Sequence, residues 1–66
     1  MSDDFNMTMR KFLKQVGVTS QKAIEDAMRK AGTGATRGRE FRARVVLTID
    51  GLDLEHVVEG KIAGAE

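Results

Sequence analysis

Apolar residues recur early in the chain at Phe5, Met9, Phe12, Leu13 and Val16, spacings that place all five on one stripe of a helix. Asp3 is positioned to cap it, and Asp4 adds negative charge to the first turn. Gly17 follows the last periodic residue. With Val16 as the C-cap, Gly17 would be C′ and Val18 would close a Schellman turn against Leu13. Thr19 can then cap a second helix with a stripe of Ile24, Ala27, Met28 and Ala31, Ala23 lying alongside. Glu25 with Arg29 and Asp26 with Lys30 are acid-before-base pairs one turn apart. This pattern predicts helices over about residues 4–16 and 20–31, joined by a tight corner.

Residues 32–39, GTGATRGR, hold three glycines and no large apolar side chain, which predicts a flexible loop. Beyond it the period changes to two. Phe41, Ala43, Val45, Leu47 and Ile49 alternate with polar positions; Asp50-Gly51 follows; then Leu52, Leu54, His56 and Val58 alternate with Asp53, Glu55, Val57 and Glu59. Asp-Gly is a dipeptide of the two-residue type I′ hairpin turn. That turn sets Ile49 opposite Leu52, Leu47 opposite Leu54 and Val45 opposite His56 on an apolar face. On the other face it sets Val46 opposite Glu55, Arg44 opposite Val57, Arg42 opposite Glu59 and Glu40 opposite Lys61. The hairpin spans about residues 40–62.

The expected fold class is therefore α+β: a single domain over residues 1–66, with two N-terminal helices packed on one face of a C-terminal antiparallel β-hairpin (ααββ, two layers). Leu47, Ile49, Leu52, Leu54, Phe5, Phe12, Leu13, Ile24 and Met28 would form its core, with Phe41 and Ile62 closing the far end.

Composition narrows the function classes. Eleven Lys or Arg stand against ten Asp or Glu, a net charge of +1, which excludes a strongly charged tail. With no cysteine, disulfide scaffolds and thiolate metal sites are excluded. No apolar run approaches the roughly eighteen residues of a membrane span, and the acidic start lacks the pattern of a secretory signal. A cytoplasmic protein with no membrane association is expected.

Charge is nonetheless uneven. Arg37, Arg39, Arg42 and Arg44 face only Glu40 within residues 32–49, whereas Lys61 stands alone against Asp50, Asp53, Glu55, Glu59 and Glu66 further on. With Lys11 and Lys14 of the first helix, the four arginines are candidate contacts for an anion or nucleic acid. Cross-strand pairing in a solvated hairpin accounts for the same charges. GTGATRG fails as a dinucleotide loop because it follows a helix and precedes a strand. Gln15 to Ser20 is similar to a helix-turn-helix turn, but the next helix would bring Glu25 and Asp26 to the phosphates. His56, the only histidine, sits on the apolar face, with Glu55 and Glu59 on the other, so neither a metal site nor a catalytic constellation forms around it. Three phenylalanines at core spacing, without Trp or Tyr, make a poor base-stacking platform. Val46 and Val57, diagonal neighbours on the polar face, and Met7, opposite the first helix's stripe, are candidate partner contacts.

The segments FNMTMRKFLKQVGVTSQKAIEDAM (Phe5 to Met28) and LTIDGLDLEHVVEGKI (Leu47 to Ile62) resemble a family of very small bacterial proteins carrying a domain of unknown function. The resemblance implies a helix-helix-hairpin fold and supplies no activity, cofactor or catalytic residue. The expected function is a non-enzymatic protein-protein interaction module, self-associating or binding another protein, with no cofactor. Weak nucleic-acid or anion binding through the basic loop and first strand is the alternative.

Overall fold

A computed structural model describes residues 2–64. Glu66, counted above among the C-terminal acids, lies outside the described residues. The chain divides into two compact units, one ending at Ala31 and the other beginning at Gly32.

The first unit is a single α-helix, α1, Asp3–Ala31. This overturns the expectation of two helices packed on the hairpin. Gly17 does not adopt the positive φ of a C′ residue. Thr19, the expected cap, instead turns its hydroxyl back to donate to the Gln15 carbonyl at 2.7 Å, a bond made inside a continuing helix. The two apolar stripes explain why the helix runs on. Val16 and Ala23 are seven residues apart and Val16 and Ala27 eleven, so the stripes are in phase when no turn intervenes. One interior glycine costs about 1 kcal/mol relative to alanine, which a 29-residue helix tolerates.

The helix begins one residue earlier than expected. Ser2, not Asp3, is the cap: its Oγ accepts the Phe5 N–H at 3.2 Å. Asp3 and Asp4 occupy the first turn and Arg29 and Lys30 the last, both favourable to the helix dipole. Asp26 pairs with Arg29 and, at 4.0 Å, with Lys22, rather than with Lys30. Glu25 accepts from Gln21 at 3.4 Å rather than meeting Arg29.

The second unit opens at Gly32, whose φ of 89° and ψ of 149° suit glycine. Within the segment expected to be a loop lies one helical turn, α2, Thr33–Thr36. Gly38, at φ 73°, then redirects the chain into strand β1, Glu40–Thr48, which pairs antiparallel with β2, Glu55–Ala63. The ladder closes with Gly64, whose N–H donates to the Arg39 carbonyl at 2.8 Å.

The hairpin is present, but its register is not the expected one. Val45 faces Val58, Leu47 faces His56 and Thr48 faces Glu55, a slide of two residues from the pairing that a two-residue loop would impose. The turn chemistry accounts for the slide. Leu52 N–H donates to the Ile49 carbonyl at 3.1 Å, and Gly51 has φ 88° while Asp50 does not have positive φ. That is the signature of a type II turn, with glycine in third position, rather than type I′, which needs positive φ at both central residues. A type II turn splays its flanking strands. Residues 49–54 accordingly form the reversal, with Leu54 N–H bonded to the Leu52 carbonyl at 3.0 Å. Because the slide is even, each side chain keeps its face.

No apolar side chain is buried among the described residues, which overturns the expected core. Phe12 and Leu13 remain about half exposed, as do Val45 and Val58; Leu47, Met28, Phe41 and Ile62 are only half-buried. Among the described residues the buried side chain is that of Thr36.

Candidate interaction surfaces

The sheet has two strands, so each strand carries one edge without a partner strand among the described residues. Which backbone groups face outward follows from the ladder. Arg39 and Gly64 form a hydrogen-bonded pair, and hydrogen-bonded and non-hydrogen-bonded pairs alternate along an antiparallel ladder. Phe41 with Ile62, Ala43 with Gly60, Val45 with Val58 and Leu47 with His56 therefore turn their backbone groups inward. The intervening residues turn theirs outward: Glu40, Arg42, Arg44, Val46 and Thr48 on β1, and Glu55, Val57, Glu59, Lys61 and Ala63 on β2.

Of the outward β2 residues, the sequence marks Val57 as a candidate contact but not the charged residues on either side of it. Their signal was nevertheless present, as an alternation of acid, valine, acid and base at every second position from Glu55 to Lys61.

The slide brings different side chains together on the polar face. Val46 and Val57, expected to be diagonal, are directly opposite, and as a non-hydrogen-bonded pair they approach closely. Both remain exposed, at 45% and 39%. Arg42 faces Lys61 instead of Glu59, and Arg44 faces Glu59. Glu40 now lies diagonal to Lys61, yet its Oε1 still reaches Lys61 Nζ at 3.7 Å. This pair is well exposed and contributes little to stability.

The six candidate basic residues do not form one structural group. Lys11 and Lys14 belong to the helical unit, where they line a shallow depression with Met7, Thr8 and Arg10. Met7, the third candidate partner contact, is thus an exposed residue with Arg10, Lys11 and Lys14 on its C-terminal side. Arg37, in the second unit, caps the end of α2. Arg39 places its guanidinium 5.3 Å from the centre of the Phe41 ring and donates to the Ala35 carbonyl at 3.4 Å, so stacking and a backbone bond already engage it. Arg42 and Arg44 share the polar face of β1, where Arg42, Glu59, Gly60 and Lys61 line a second open depression.

His56 stands opposite Leu47 rather than Val45, still on the apolar face. Among the described residues no group of three or more His, Cys, Asp or Glu side chains is arranged to hold a metal ion. No helix of the described residues is long and apolar enough to cross a membrane.

No curated protein and no solved structure matches the chain. A family model does match, over residues 1–65, and the chain accordingly belongs to the family of unknown function DUF6494.

Proposed function

We propose that this chain is a non-enzymatic protein-protein interaction module of the bacterial cytoplasm, and that it associates with a second copy of itself. The supporting observation is the lack of a buried apolar side chain among the described residues, beside a helix stripe and a sheet face both rich in them. A lone two-stranded ribbon is marginal in water, and most helix stability in proteins comes from packing an apolar face. Small domains without disulfides are stabilised by tight local packing or by association, and the first is not supplied by any buried apolar side chain among the described residues.

The test is amide chemical-shift mapping of the full chain at two concentrations, and then with duplex DNA added. The expected result is concentration-dependent shifts on the hairpin and the helix stripe that persist at high salt. Shifts absent on dilution and concentrated at Arg37 to Arg44 on adding DNA would overturn the reading.

Weak nucleic-acid or anion binding is the second reading, favoured by Arg42 lying directly opposite Lys61 with Arg44 on the same face. Under it, affinity falls steeply with salt, and the slope of log affinity against log salt shrinks by roughly 0.7–0.9 for each phosphate contact removed. An Arg42→Ala/Arg44→Ala variant measures that slope.

A further inference from the structure

We propose that two copies join along β2, antiparallel, to make one four-stranded sheet in the order β1-β2-β2-β1, with Val58 of each copy facing the other at the two-fold axis. This deepens the self-association reading above and rests on it.

The choice of edge follows from charge. On β1 the register of fullest overlap sets Arg44 against itself. Sliding by two residues sets Arg42 against Arg44 or leaves Arg44 beside Val46, and none of these registers pairs opposite charges. On β2, centring on Glu59 sets two carboxylates against each other, and centring on Val57 sets Glu55 against Glu59. Centring on Val58 instead sets Glu55 opposite the second copy's Lys61, twice by symmetry, and Val57 opposite Glu59.

The backbone and the apolar face agree with that register. Glu55, Val57, Glu59 and Lys61 are the residues whose N–H and C=O groups point outward from β2, so the charge-matched positions are also the hydrogen-bonding ones. On the opposite face Val58 meets Val58, and Leu54, one residue before the strand, comes opposite Ile62 within it. Centring on Gly60 also pairs opposite charges, Glu59 with Lys61, but it places two glycines at the axis and leaves Leu54 without a partner.

The experiment is a charge-swap cycle read by sedimentation equilibrium of the full chain. Glu55 and Lys61 are six residues apart on one strand, about 20 Å, so a coupling between them arises only between copies. Glu55→Lys and Lys61→Glu should each weaken the dimer about tenfold, and the double variant should restore it. Because the chain has no cysteine, Val58→Cys supplies an independent readout: a non-hydrogen-bonded pair at the axis lies within disulfide reach, so mild oxidation should give a covalent dimer. Val45→Cys, on the outer strand β1 of the same face, should not cross-link.

A chain that stays monomeric at millimolar concentration would overturn both this proposal and the self-association on which it rests. A dimer restored by Glu59→Lys/Lys61→Glu instead, or one that ignores both swaps and cross-links at Val45→Cys, would overturn the β2 register while leaving self-association intact.

Discussion

Gly64 lies so close to Thr36 that a Cβ on it would stand 1.7 Å from the Thr36 carbonyl oxygen. The close approach coincides with the Gly64-to-Arg39 hydrogen bond and with the burial of Thr36, and it ties the turn of α2 to the open end of the hairpin. Glycine is required here by space, since Gly64 is not among the residues with positive φ.

Gly64→Ala should therefore break this tie, at a cost of roughly 1–3 kcal/mol. Amide hydrogen exchange would detect it as lost protection at Thr36 and at the Phe41–Ile62 end of the ladder. The turn at Gly51 should be unaffected.

Gly17→Ala distinguishes a continuous helix from a broken one. A Cβ there meets nothing within 4 Å and the backbone lacks positive φ, so alanine should stabilise α1 by about 1 kcal/mol. Had Gly17 ended a helix in the left-handed conformation, the same change would destabilise it. Thermal unfolding followed by far-ultraviolet circular dichroism gives the sign.

Asp50→Pro tests the turn type. Asp50 precedes a glycine at φ 88° and does not itself have positive φ, the geometry in which proline is favoured. The variant should gain roughly 0.4–1 kcal/mol, because proline restricts the unfolded chain. In a type I′ turn the substitution would instead disrupt the hairpin. Gly51→Ala should lose about 1–2 kcal/mol in the same denaturation assay.

Ser2→Ala removes the side-chain acceptor for the Phe5 N–H and should cost about 1 kcal/mol of helix stability. Fraying confined to the first turn, seen as faster exchange at Phe5, would confirm the cap's position. Asp3→Ala should have a smaller effect, through the helix dipole alone.

What the sequence made legible was parity. Alternation around Asp50-Gly51 sorted every strand residue onto its face, and an even slide left that sorting intact. Register was not legible, because the Asp-Gly pair suits a type II turn as well as type I′, and the two differ in the backbone at Asp50. The helix boundary was missed for a related reason. Glycine followed by threonine reads as a stop and a new cap, whereas Thr19 bonds inside the helix and the two stripes were already in phase across Gly17. Among the candidate site residues, the charges were visible but their companions were not. Arg42 changed its neighbour from Glu59 to Lys61 through the two-residue slide alone, and Arg39 proved to be stacked on Phe41.

The reversal between Thr48 and Glu55 thus works as a vernier between the strands. Adding or removing backbone there in steps of two would leave the greasy and wetted sides of the ribbon untouched, yet would exchange every electrostatic neighbour across it. Insertions in that bend consequently re-pair the charges of such a ribbon without altering a single strand residue.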